Sequence, residues 1–393
     1  MSASNVAISH RTWLDNPEEL HVSNSSLTVR SYSFAAVIPQ LNGSTNEGAF
    51  EKDGTPIDGS SLRRAKRIYR GPKEEFNAAP TRREASAVLF GGYYFNHFGH
   101  FITEGLSRLW KYGELSDIDK IVFLKGDLDR LGRSDVLKHL IPEADLCKIE
   151  IITEATQYDE VIIPDPGFVI RSSFNANHWS WLKRATDMVE ARGRIQKRPE
   201  PLYLSRSSQD VTKRLGYGEL ELEAALMNAG FRVITPEKLP FLQQVRILAE
   251  HDTIVGLEGS HLHNLIFSRG EKRVIQLDYR PVNGNFLLID RMLSNDASYI
   301  NIVQPRRYEG FITSDGVTEP FIFDPSVAAD HIAELISWKV NPVPLSSDTR
   351  RAFAMNWLVW WDRNARAKAG TERGRSFTAS RFQNNSYIAL AAI

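Results

Sequence analysis

The stretch from Pro201 to Asp278 constrains the fold of this chain more than any other feature. Its short apolar runs, PLYLS, FRVIT, DTIVG and KRVIQLD, are separated by the amphipathic segments GELELEAALMNAG, PFLQQVRILAEH and SHLHNLIFSRG. The short runs suit strands and the longer segments suit helices, with a glycine stop and a proline start marking two helix ends. Strands alternating with helices in this way predict a parallel sheet with right-handed crossovers. The polar residues fall in register with it: SRSSQD follows the first strand, TPEK the second, GLEGSH the third and DYR the fourth. Open parallel sheets bind ligands along that carboxyl edge.

Within the edge, Gly256, Gly259 and Ser260 would turn the backbone tightly and offer N–H groups at a helix start, a seat for a phosphate. Arg206, Lys213 and Arg214 would supply the opposing positive charge. Two glycines before a helix are equally ordinary turn chemistry. Neither GxGxxG nor GxxxxGK[ST] occurs, which disfavours a dinucleotide enzyme and a P-loop ATPase.

The first half also alternates. YSFAAVIPQ reads as a buried strand and LNGSTNEGAFEKDGTPIDGSS as a long surface loop. SAVLFGG, DKIVFLK, CKIEIIT and DEVIIPD read as strands, SDVLKHLI as a helix and NANHWSWLKRATDMVEARGRIQ as a longer one, ended by the boundary KRPEP. A chain of 393 residues is too long for one ordinary core. The expected fold class is therefore α/β, with an N-terminal domain over 1–196, a Rossmann-like domain over 197–325 and C-terminal helices over 326–393 packing back on the first lobe.

Between the first glycine-ended strand and the next lies NHFGHFITEGLSRLW, residues 96–110. Read as a helix, it sets His100, Glu104 and Arg108 on one face and Phe101, Ile102, Leu106, Leu109 and Trp110 on the other. The bland reading is a surface ion pair between Glu104 and Arg108. The functional one is a proton acceptor, because packed surroundings and neighbouring charge tune carboxylate and imidazole towards neutrality. His97, His100 and Glu104 also spell HxxHxxxE, but one helix supplies too few ligands, so no metal is expected.

Charge excludes one class of partner. Lys plus Arg and Asp plus Glu both number 48, so no global field calls for nucleic acid. The first twenty residues lack a basic and apolar leader, no apolar run reaches membrane-spanning length, and Cys147 is the single cysteine. A cytoplasmic setting follows as the expectation, with Cys147 as a small buried hydrophobe. Trp357, Trp360 and Trp361 beside Arg350, Arg351, Arg363 and Arg366 would suit the inner membrane surface, where a lipid-linked acceptor is held. A packed helix face or a homodimer contact suits them equally.

The run from Leu204 to Asp278 resembles glycosyltransferase family sixty-one. It carries the SR segment at Ser205 and Arg206, a following basic residue, G-F-x-V-x-x-P-E ending at Glu237, and I-V-G-x-x-G-x-x-L-x-N-x-x-F from Ile254 to Phe267, which includes Asn264. The stretch at 96–110 looks like the family's N-terminal signature. One departure stands out: Leu257, Glu258, Gly259 and Ser260 occupy the place of Pro-His-Gly-Ala, so Glu258 replaces the usual histidine, with His261 and His263 close enough to recover its role. The resemblance implies a GT-B-like arrangement of two Rossmann-like domains facing across a cleft. It further implies metal-independent, inverting transfer from a nucleotide sugar to a glycan or glycolipid hydroxyl, of the capsule and cell-surface type. On that reading Glu104 ranks above His100 as base, with Arg108 orienting it. The rivals are another enzyme of nucleotide diphosphates, a hydrolase or epimerase, and a non-catalytic glycan-binding assembly protein.

Overall fold

The computed structural model of the chain describes residues 7–8, 19–41, 44–115, 117–127, 134–208, 216–279, 281–302 and 320–368. It is a mixed α/β protein built on two large sheets. In the second half five parallel strands, Leu202–Leu204, Arg232–Ile234, Thr253–Leu257, Arg273–Asp278 and Asp296–Asn301, lie in the order second, first, third, fourth, fifth. Their residues are mostly fully buried, as a parallel sheet covered on both faces requires. The order reverses between Leu202–Leu204 and Thr253–Leu257, and a crevice opens beyond the carboxyl ends of two such strands. Ala7–Ile8 adds a sixth, parallel strand beside Ser298 and Tyr299, which the polar amino-terminal sequence did not signal.

The first half holds a seven-stranded sheet. Ile149–Ile152, Lys120–Lys125, Arg82–Tyr94 and Thr156–Pro164 run parallel, and Val29–Ser33, Ala36–Ile38 and Gly48–Phe50 join antiparallel. The strand Gly48–Phe50 lies inside the stretch read as loop, because Ala49 and Phe50 are wholly buried against the sheet. A separate hairpin, Leu62–Arg64 with Arg67–Arg70, follows it.

One hydrophobic cluster runs through both halves, from Phe90, Phe123 and Leu182 to Leu204, Phe267 and Leu287. The long helix expected over 175–196 is two, Ala176–Leu182 and Arg184–Ala191, and the second packs on Phe241–Glu250. Cys147 is exposed rather than buried, because the strand begins only at Ile149 and the cysteine stays on the preceding turn. The C-terminal helix Ser347–Lys368 meets Gly216–Tyr217 and Phe321–Ile322, and Thr349 donates to Glu221 at 2.5 Å. Those contacts are with the second half, not with the first lobe. Trp357 and Trp360 turn inward and are buried. Met355 and Val359 face outward instead. Trp361, Arg363 and Arg366 have no described side chains. No helix among the described residues is long and apolar enough to cross a membrane.

Candidate functional site

The stretch Asn96–Trp110 is not one α-helix. A short turn, Phe98–His100, runs into a π-helical turn, Phe101–Gly105, and then a 3-10 segment, Leu109–Glu114. Gly99 and Gly105 weaken regular helix. The Thr103 hydroxyl donates to the Gly99 carbonyl at 2.9 Å and that of Ser107 to Glu104 at 2.7 Å, competing with the backbone pattern. Leu106 N–H reaches back five residues to Phe101 at 2.9 Å. Such π-turns occur frequently at functional sites. The start of the stretch is pinned by Asp127, whose carboxylate accepts from the N–H groups of Asn96 and His97 at 2.7 and 2.9 Å.

The π-turn splits the expected ionic stripe. His100 and Glu104 stay together, Nδ1 to Oε2 at 2.6 Å. Arg108 rotates away and its buried guanidinium donates to the carbonyls of Pro164, Gly59 at 2.7 Å and Ser61 at 3.2 Å. Burial pushes its pKa down to about 10. Gly92, at φ +92°, bulges the neighbouring strand, and a Cβ there would lie 3.3 Å from Arg108 Cδ. Arg108 is therefore a strut for the loops at 59–61 and 164, not the partner of Glu104.

That partner is Arg64, which the sequence reading missed. Its Nε and Nη2 donate to Oε1 and Oε2 of Glu104 at 2.7 and 2.9 Å, and its guanidinium stacks on the Tyr69 ring at 4.0 Å. Only the uninterpreted basic run RRAKRIYR hinted at it. The Glu104 side chain is 2% exposed and committed on both oxygens, while that of His100 is 38% exposed. If Nδ1 carries the proton donated to Glu104, Nε2 is left as an acceptor.

This stretch touches the second half. A Cβ on Gly99 would lie 3.2 Å from Ser260 Cβ and 3.4 Å from the His263 ring. His97 and His100 are close enough to act electrostatically on His263. Ser260 opens a 3-10 segment, Ser260–Phe267, directly beyond the third strand, at the place where strand order reverses. Across that crevice Arg206 Nη1 donates to the Glu258 carbonyl at 2.6 Å, tying the ends of the first and third strands. Gly259 is needed because a Cβ would lie 2.9 Å from His261 Nδ1 and 3.1 Å from Arg206 Cδ. A Cβ on Gly256 would lie 3.3 Å from His261 Nε2, so the ring sits beneath this loop.

The histidines and the acid of the loop are buried. Glu258 is 1% exposed and its N–H donates to Leu277 at 2.8 Å. Burial, with Arg206 and His263 nearby, holds His261 well below its usual pKa. Burial lowers His263 to about 4, and its ring lies 4.7 Å from Phe286. Asn264 points inward and donates to Gln244 at 2.7 Å. Glu237 is exposed at the same edge, where it accepts from Ser208 at 3.1 Å. Lys213 and Arg214 lie outside the described residues. Among the described residues no group of three or more His, Cys, Asp or Glu could hold a metal ion.

The switch point of the parallel sheet thus lies beside the stretch that carries His100 and Glu104, and comparison with known proteins bears on the class. Residues 98–275, from the Phe98 turn into the fourth strand, match the family model described as Glycosyltransferase 61. Over that stretch the protein is similar to glycosyltransferase family 61, and the match supports a glycosyltransferase. No curated protein matches the chain. Among solved structures it is similar to the bacterial iron-containing dodecameric glycosyltransferase TibC from enterotoxigenic E. coli. That likeness has 10% identity and a TM-score of 0.27, over 63% of this chain and 74% of that one.

Proposed function

We propose that this glycosyltransferase moves a sugar, with inversion and without a metal, from a nucleotide-sugar donor to a hydroxyl of a glycan or glycolipid of the bacterial cell surface. The donor diphosphate is taken at the strand ends, by Arg206 and the backbone around Gly259 and Ser260, with Glu237 and the buried loop of Glu258, His261 and His263 shaping the edge. The two α/β halves act as the facing lobes of a GT-B-like enzyme. The observation that carries the reading is the approach of Gly99 to Ser260 and His263, which sets His100 beside the switch-point crevice.

Inversion needs a base on the acceptor side, opposite the departing nucleotide. His100 fills that role better than Glu104. Glu104 is enclosed and fully engaged, and acts as the carboxylate that orients the imidazole, in the manner of a histidine and acid pair. Nε2 of His100 takes the acceptor proton as the sugar–oxygen bond forms, the nucleoside diphosphate leaves with the electron pair of the breaking bond, and Arg206 offsets its charge. The exposed free thiol of Cys147 suits the cytoplasm as the setting.

The test is His100→Asn, assayed against a panel of nucleotide sugars with glycan and lipid-linked acceptors. Transfer should fall about 10²- to 10⁴-fold while nucleotide-sugar affinity stays within about twofold. Undiminished turnover would remove His100 from the mechanism. Release of free sugar without any acceptor dependence would favour a hydrolase instead.

A further inference from the structure

Behind the crevice lies a second ionisable cluster that the reaction does not use. The helix Glu219–Asn228 carries Glu219, Glu221 and Glu223, and all three are buried, Glu219 at 1% exposure. Glu221 turns to the C-terminal helix, accepting from Ser346 N–H at 3.2 Å and Thr349. Glu219 and Glu223 turn to the end of the first strand instead. One oxygen of Glu219 accepts from the backbone N–H of Arg206 at 2.9 Å and from the Tyr203 hydroxyl at 3.2 Å. Glu223 accepts from the Ser205 hydroxyl, which also bonds Ser207 at 3.0 Å.

The backbone that carries the Arg206 guanidinium to the crevice is thus held from below by a carboxyl that water does not reach. The charged and titratable groups acting on it are Arg206, Glu223 and Tyr203. Burial, opposed in part by the Arg206 contacts, raises Glu219 to about 7. Its place in the first turn of its helix favours the ionised form, and the neighbouring Glu223 opposes it. The two protonation states are therefore close in free energy near neutrality.

We propose that Glu219 is a positioning residue of the donor site, holding the Ser205–Ser207 turn beneath the diphosphate and coupling donor binding to net proton uptake. The inference rests on the donor site proposed above. A diphosphate drawn to Arg206 places negative charge on the far side of the turn from Glu219, and like charge in a low-dielectric interior disfavours the ionised carboxyl. By linkage, the protonated protein must then bind the donor more tightly. Glu219 touches neither substrate nor reacting atoms, and acts through the turn and the field.

Calorimetric titration of the full chain with UDP-glucose, UDP-N-acetylglucosamine, UDP-xylose and GDP-mannose tests this, since their diphosphate diesters carry no group of their own that titrates near neutrality. For whichever probe binds, wild-type affinity should fall about fivefold from pH 6.5 to pH 8.0. Heats measured in buffers of different ionisation enthalpy should show net proton uptake at pH 7. Glu219→Gln should bind with no more than about twofold change over that range, and without uptake. A wild-type slope retained in Glu219→Gln overturns the assignment. Zero proton uptake in the wild type overturns it without any variant, so a poorly folding Glu219→Gln does not protect it. Absence of binding by every probe at every pH removes the donor-site reading, and this inference with it.

Discussion

Replacing Arg64 by methionine would leave Glu104 with its charge but without its clamp. The carboxylate, whose side chain is 2% exposed with Arg64 in place, would lose two charge-assisted hydrogen bonds, at 2.7 and 2.9 Å. Breaking a buried ion pair from one side costs about 3–5 kcal/mol. The Arg64 side chain is 25% exposed, so water would enter from that side, and the lower end, about 3 kcal/mol, is expected. Unfolding entropy near 2.1 cal/mol/K per residue gives about 0.8 kcal/mol/K for a chain of this length, so the melting temperature should fall by about 4 °C.

Adding Glu104→Gln to Arg64→Met should recover most of the loss, since no buried charge remains. Thermal melts of wild type, Arg64→Met and the double variant need no substrate. A deficit below about 1 °C, or no recovery in the double variant, would refute the view of Arg64 and Glu104 as a buried, mutually dependent pair.

Two further perturbations probe the junction and the core. Gly99→Val should clash with Ser260 and His263, lowering stability by about 1–3 kcal/mol in a thermal melt and reducing transfer, with nucleotide-sugar affinity in calorimetry changed less than turnover. His178 is wholly buried beside Trp181, with neither ring nitrogen hydrogen-bonded among the described residues, and burial lowers it to about 3. A base with a lowered folded pKa costs stability as pH falls below its unfolded value near 6.5, so His178→Phe should be more stable than wild type at pH 5 by about 2 kcal/mol and gain less at pH 8. Denaturant melts at the two pH values measure it.

The strands of the second half were legible because each is a short apolar run closed by turn chemistry, and parallel strands buried on both faces cannot be written otherwise. Arg206, Glu258, Gly259 and Ser260 could be found for the same reason, since they follow strand ends at fixed offsets. Where periodicity was extrapolated through irregular backbone it misled. The step of four from His100 to Glu104 survived the π-turn, and the next step, to Arg108, did not. Gly48–Phe50 became a strand inside a polar loop because its neighbours supplied a sheet edge, and Trp357 and Trp360 found a core rather than a surface.

By itself the sequence determined the alternating architecture of the second half, the polar edge and the pairing of His100 with Glu104, all of which depend on contacts between residues close along the chain. Tertiary structure alone decided which strand neighbours which, and so where the crevice falls. It also decided that Arg64, forty residues before Glu104, holds it, and that Glu219 lies under the Arg206 turn. Such partners meet only through long-range closure of the chain, and a charged side chain leaves no periodic trace in sequence of the opposite charge it will find. The stretch at 96–110 likewise takes its outward group from the fold, where burial of Glu104 leaves His100 as the more exposed of the two.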